Sequence, residues 1–171
     1  ISDFFRAIAE DGLAGNFLGR AIGVEIANAF NRALSATDAQ HLAGELVGRY
    51  LRDRRPVAAV ALTADAAVMT AVANDYGYDA VFARQVEALG RPGDVAVGLT
   101  TSGVSANVTA ALVKAQALGM ATIALTGRDG GETGRVVDVH LNVPSGSTPR
   151  VQEVHRTMLH VLCELIERGL Q

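Results

Sequence analysis

Apolar residues recur along this chain in two rhythms. Over residues 3–34 they fall at helical intervals, with a break near residues 12–16, and Phe17, Leu18, Ala21, Ile22, Val24 and Ile26 fill much of the second half. A further helix is predicted from Ser35 to about Tyr50. Ser35 with Asp38 three residues later resembles a capping box, with Asp in place of Glu. Beyond it, short apolar runs alternate with helical ones. Residues 57–63, 94–99, 121–126 and 137–143 read as strands, and residues 65–74, 78–89, 105–118 and 148–168 as helices, with a short helix after the loop 127–131. Arg91-Pro92-Gly93-Asp94 is a turn, and Gly119 suits the residue just past a helix end. Strands separated by helices predict a parallel sheet covered on both faces. The chain reads as one α/β domain over 1–171, with N-terminal helices in 1–34 and the α/β core in 35–171.

Composition narrows the class. A chain of 171 residues buries about 70% of its unfolded surface and needs no staples. Apolar residues make up 49% of it, Trp is absent, and the filling is Ala, Val and Leu, which suits close helix–sheet packing. The net charge of −3 includes no basic block, so nucleic-acid and membrane-surface binding have no electrostatic support. The single Cys163 lies in an apolar helical stretch, which excludes an internal disulfide and most Cys-based zinc sites. No signal-peptide pattern and no apolar run of about 18 residues is seen, so a cytoplasmic protein is expected.

Candidate chemistry gathers in three places. His41 and Glu45 are four apart on one predicted helix and share a face. Gln152 and His160 are eight apart on the last helix, a little over two turns, and also share a face. Brought together, the two faces could hold a divalent metal or an acid/base pair. Each residue alone also has an ordinary reading, as a solvated or capping group. His155 lies off the Gln152/His160 face and His140 lies in a strand, and both read as structural.

The third place is Thr100-Thr101-Ser102-Gly103-Val104-Ser105, between a predicted strand and helix. Ligands of open α/β sheets sit at the carboxyl ends of strands. Hydroxyls and free N–H groups at a helix start can hold a phosphate without Lys or Arg. Ordinary Ser/Thr capping explains the same residues equally well. A dinucleotide site is not supported, because residues 127–134 lack an ordered G-x-G-x-x-G turn after the first strand.

Several stretches, in order, resemble one family. They are DAQHxxxEL (38–46), NDYGY (74–78), FxRQVEALGRPGDV (82–95), TSGxS (101–105), LTGRDGG (125–131), and TPRVQExH (148–155) with the later His160. Together they resemble the sedoheptulose 7-phosphate (phosphoheptose) isomerases of the sugar isomerase, or SIS, fold. The likeness runs from Ser35 to the C-terminus, about four-fifths of the chain. It implies a Rossmann-like domain with a five-stranded parallel sheet, homotetramers with active sites at subunit contacts, and conversion of sedoheptulose 7-phosphate to D-glycero-D-manno-heptose 7-phosphate. That step opens the route to the ADP-heptose of lipopolysaccharide cores. By position, the resemblance assigns Glu45 and His160 as the acid/base pair and His41, Glu45, Gln152 and His160 as ligands of one zinc. It further assigns Ser35, Thr100, Ser102 and Ser105 to phosphate, Asn74, Asp75, Thr101 and Gln152 to the sugar, and places Arg49 close by. No nucleic acid or membrane partner is implied.

The chemistry fits those residue types. A ketose–aldose isomerisation moves a proton between adjacent carbons through an enediol, and a carboxylate with a His can serve it, each contributing roughly 10²–10⁴-fold. A zinc ion would polarise the carbonyl. The alternatives are a non-catalytic SIS protein, like the relative that binds the bacterial replication initiator, and a sugar-phosphate-sensing regulator. The latter usually carries a DNA-binding domain, and no basic helix–turn–helix segment is seen here.

Departures from the pattern are informative. The family has a Gly-Asn-Gly-Gly-Ser turn closing its first strand, whereas Asn31, Arg32, Ala33 and Leu34 precede Ser35 here. No strand is read before Ser35, so four strands are visible where five are expected. Leu34 and Ser35 are accordingly expected not to be natural neighbours. Val104 replaces a usual Asn, residues 63–67 have no hydroxyl beyond that of Thr63 where others are often found, and Pro149 stands where some relatives have Asp.

Overall fold

The computed structural model describes residues 23–27 and 33–170. Five parallel strands form one sheet: β1 (Gly23–Ala27), β2 (Ala59–Ala61), β3 (Val95–Thr100), β4 (Ala121–Gly127) and β5 (Val139–Val143). Their order is β2-β1-β3-β4-β5. The helices are α1 (Ala33–Val47), α2 (Ala66–Tyr76), α3 (Val81–Leu89), α4 (Ala106–Ala117), α5 (Gly131–Arg135) and α6 (Thr148–Gly169).

β1 corrects the reading of residues 3–34 as helical throughout. Gly23 to Glu25 pair with β2 on one edge, and Gly23 to Ala27 pair with β3 on the other. Val24 and Ile26 stand two apart and are β-branched, which suits a strand. Within a longer apolar stretch those two residues do not declare a period. The slot between β2 and β3 decides the conformation, because it satisfies the strand's backbone groups on both sides. The fifth strand is thus present, and it is an interior strand, between the edge strand β2 and β3. The break expected near residues 12–16 lies outside the described residues.

α1 runs through both Leu34 and Ser35. The helix starts at Ala33, so Ser35 falls inside its first turn rather than at its cap. Asp38 is no capping partner either, because its carboxylate receives Arg156. At the far end α1 stops at Val47, short of Tyr50.

Right-handed crossovers place the helices. The chain moves one way across the sheet from β1 to β2, through α1. It moves the opposite way through β3, β4 and β5, so α2 to α5 cover the other face, and α6 returns to the face of α1. Two cores follow. Val95, Val97, Leu99, Ile123, Leu125, Val139 and Leu141 point to α1 (Ala39, Leu42, Leu46) and α6 (Leu159, Leu162, Cys163). Ala96 and Ala124 point to Phe82 and Val86 of α3 and to Val108, Ala111, Leu112 and Ala115 of α4. Gly98 belongs to the second face, where a Cβ would stand 2.7 Å from Leu112 Cδ1. The small residues of the strands thus let α4 lie close on the sheet.

Because β1 leads one way and β3 the other, the order reverses between them. A crevice at such a switch point, outside the carboxyl ends of the strands, is where open α/β sheets bind ligands. The hydroxyl loop follows β3 at that place. On the same basis, the fold is that of the doubly wound α/β class.

Candidate active site

The hydroxyl loop is held by its own side chains. Thr100 Oγ1 lies 2.7 Å from Ser105 Oγ and 3.3 Å from Ser102 Oγ, and it accepts the Gly103 N–H at 3.3 Å. Thr100 and Ser105 are buried, while Thr101 and Ser102 are partly open. Ser105 is also the residue before α4, so the loop ends at a helix start whose first N–H groups have no partner within the helix.

A second loop backs it. Gly103 has φ +72°, and a Cβ there would meet Gly130 O at 2.3 Å. Gly131 approaches from the other side, where a Cβ would stand 2.3 Å from Gly103 O. The Thr133 N–H donates to Gly103 O at 3.0 Å, and Thr133 Oγ1 lies 2.8 Å from Thr109 Oγ1 on α4. The glycines of LTGRDGG therefore serve contact between two backbones.

α1 and α6 supply the other candidates. They run side by side in the same direction, and their contacts advance together along both. Asp38 Oδ1 receives Nε and Nη2 of Arg156 at 3.0 and 2.6 Å. One turn further, the His41 and His160 rings meet edge to face, with centroids 5.1 Å apart. His41 Nε2 lies 3.1 Å from Glu45 Oε1. Tyr50, just past α1, stacks on His160 at 5.5 Å with 26° between planes. The predicted meeting of the two His-bearing faces thus takes place at His41, whose ring meets His160 and whose Nε2 lies beside Glu45.

Gln152 is buried on α6, and its Nε2 has no hydrogen-bond partner. Exchange of its amide O and N would instead present the oxygen there. Ser35 is buried in the first turn of α1. Arg49 is exposed beyond the end of α1. Asn74 and Asp75 lie exposed on the last turn of α2, where Asn74 Nδ2 donates to Asp75 Oδ1 at 2.8 Å. Among the described residues, no three His, Cys, Asp or Glu side chains form a cluster able to hold a metal.

His155 is structural, as its place off the Gln152/His160 face suggests. It is buried, and Nε2 lies 2.9 Å from the Thr126 carbonyl oxygen. Burial lowers its pKa below 6.5, against smaller upward effects of that hydrogen bond and of Asp38. Its Nε2 is then the donor in the neutral ring. His140 bonds Thr126 Oγ1 at 2.6 Å and packs over Gly130 and Gly134. Cys163 is a buried core residue.

Sequence reasoning missed four residues around this site. Arg156 lies four before His160 and Glu167 seven after it, so helical spacing alone puts both beside that histidine. Arg54 and Tyr50 carry no local signal of a role. Arg54 donates to the carbonyls of Glu45 and Leu46 at 2.7 and 2.8 Å, and so caps α1. Glu167 balances its charge, with Oε1 3.2 Å from Arg54 Nε.

Comparison with known proteins bears on this geometry. The family model of the SIS domain matches residues 28–127, more than half of the chain. A phosphoheptose isomerase from Geotalea daltonii is 56% identical over 136 residues, covering 80% of this chain and 71% of the relative. One from Geobacter sulfurreducens is 50% identical over 166 residues, covering 97% and 84%. Among solved structures, the phosphoheptose isomerase from Francisella tularensis aligns with TM-score 0.83 at 36% identity, over 92% of this chain and 84% of that one. The chain belongs to the phosphoheptose isomerases of the SIS-domain family, and so to the isomerases. Among the described residues, no helix is long and apolar enough to cross a membrane.

Proposed function

We propose that this isomerase interconverts sedoheptulose 7-phosphate and D-glycero-D-manno-heptose 7-phosphate. The observation that carries the reading is the contact of His160 with His41, itself beside Glu45, between α1 and α6, in a fold whose switch point bears a hydroxyl-lined loop. The loop would take the phosphate through Thr100, Ser102 and Ser105, with Ser35 from the start of α1. Thr101, Asn74, Asp75, Gln152 and Arg49 would serve the sugar end. Asn74, Asp75 and Arg49 lie at the surface, which suits a site completed where copies of a homotetramer meet.

The proton inventory is simple. Glu45 removes the proton from C1 of the ketose and returns it to C2. His160 protonates O2 and accepts the proton from O1, so that the carbonyl passes from C2 to C1 through a cis-enediol. A carboxylate and an imidazole suit these two roles near neutral pH.

His41, Glu45, Gln152 and His160 would hold a zinc ion. Two imidazoles, a carboxylate and the amide oxygen of Gln152 are donor types such a group takes, and they would have to draw together to hold it, because the His and Glu side chains do not form a metal cluster as they stand. When bound, the ion would polarise the carbonyl and favour the enediolate. The protein would act in the cytoplasm, at the first step of heptose supply for lipopolysaccharide.

Turnover of sedoheptulose 7-phosphate by the wild type, Glu45→Gln and His160→Ala tests the assignment. Each variant is expected to lose about 10²–10⁴-fold in kcat. Full activity in both would remove the mechanism. Metal content of the purified protein, with and without His41→Ala, tests the zinc separately.

A further inference from the structure

The Glu167 carboxylate is an unusual gathering point. It is 4% exposed, on the last turns of α6. Oε1 accepts the Tyr50 N–H at 2.8 Å, and Oε2 accepts those of Leu51 and Arg52 at 3.0 and 3.1 Å. Three successive N–H groups thus converge on one side chain from the segment that leaves α1. Arg54 adds its Nε at 3.2 Å while its Nη atoms cap the carbonyls at the end of α1. A buried carboxylate with this many donors fixes the backbone that meets it. The first residue of the fixed segment is Tyr50, whose ring lies on His160. Two turns of α6 separate His160 from Glu167, so one rigid helix carries both the histidine and the anchor of the ring that packs on it.

We infer that Glu167 and Tyr50 are positioning residues for His160: the carboxylate sets the Tyr50 backbone, and the Tyr50 ring then limits the imidazole to the orientation that faces His41. The inference rests on the acid/base reading of His160. Neither residue touches the reacting atoms in this scheme. The Tyr50 hydroxyl is not required, only the ring, so Phe suffices at that position and an aliphatic residue does not.

The test combines a spectroscopic readout with kinetics. Ring C–H resonances of the histidines are recorded on chelator-treated, ring-labelled protein, with His160→Ala giving the assignment. Tyr50→Leu and Glu167→Gln are expected to move the His160 ring protons downfield, out of the shielding region of the stacked ring. Both are expected to lower kcat by about ten- to a hundredfold. KM should stay within about twofold, because substrate binding is not the function lost. Tyr50→Phe should restore the wild-type resonance and rate. Tyr50→Leu does not disturb the Glu167 anchor, so it decides the matter even where Glu167→Gln folds poorly. A wild-type His160 resonance in Tyr50→Leu, or a Glu167→Gln variant that loses thermal stability with an unmoved resonance, overturns the inference. Wild-type turnover by His160→Ala would instead defeat the proton-transfer reading, and the resonances alone would then decide the positioning.

Discussion

Arg156 grips the buried carboxylate of Asp38 through two donors, at 3.0 and 2.6 Å, one turn before His41 meets His160. This ion pair joins α1 to α6, and Glu167 joins them again beyond the histidines. The candidate site is therefore held at both ends by carboxylates that take no part in the chemistry proposed for it.

Loss of the first clasp should be felt in stability and rate together. Asp38 is 2% exposed, whereas its partner's side chain is 46% exposed. Arg156→Met leaves a buried carboxylate unpaired, and the expected cost is about 1–3 kcal/mol. Denaturant unfolding measures this directly. A wild-type midpoint would show that solvent replaces the guanidinium without loss. The same variant should lower kcat more than it raises KM, since the phosphate loop lies on other elements.

Glu167 should govern acid stability. Its burial favours the neutral acid, but hydrogen bonds from Tyr50, Leu51 and Arg52 and the charge of Arg54 outweigh that and hold its pKa below 4.5. A carboxylate with a lowered native pKa adds stability that is fully present above the unfolded value. That stability is lost as pH falls below 4.5 and through the native pKa. A series of melting temperatures from pH 7 to 3 should therefore show a steeper acid decline in wild type than in Glu167→Gln. Parallel curves would contradict the assignment.

His155 should act at milder acidity. Burial keeps its native pKa below 6.5, so the unfolded chain binds the proton first. The contribution is complete above pH 6.5 and shrinks as pH falls from there toward the native value. His155→Gln keeps a side-chain donor within reach of Thr126 and removes the titration. It should flatten the dependence of the urea midpoint on pH between about 7 and 5. An unchanged slope would assign the effect to another group.

Gly103 tests the backing of the hydroxyl loop. Ala at this position meets Gly130 O at 2.3 Å and must hold φ at +72°. Strain of this kind costs about 1–3 kcal/mol, and the clash with fixed backbone adds to it. The expected result is a loop displaced from Gly130, with KM for the sugar phosphate raised at least about tenfold and kcat less affected. Isothermal titration with inorganic phosphate offers a readout independent of turnover.

Much of this was legible in the chain. The alternation of apolar runs and helices located β2 to β5 and every helix from α2 onward to within a few residues. Helical spacing put His41 with Glu45, and it set His155 aside. Local patterns of this kind are written in neighbours three, four or two apart, which is why they can be read without a fold. β1 could not be read this way. Its five residues sit in a longer apolar stretch, and its strand conformation depends on ladders with β2 and β3, residues far off in the chain. Asp38 was misread for a similar reason: its local pattern suggested a cap, but its partner lies 118 residues away.

The sequence by itself determined the class of fold, the hydroxyl loop, and the two helical faces that carry His and acid. Only the tertiary structure decided how those faces meet. It set α1 beside α6 in one direction, brought Tyr50 over His160, and gave Glu167 three backbone N–H groups to hold. The reason is physical. Periodicity fixes which side of a helix is apolar, while the placing of one helix against another depends on the sheet between them and on partners more than a hundred residues apart.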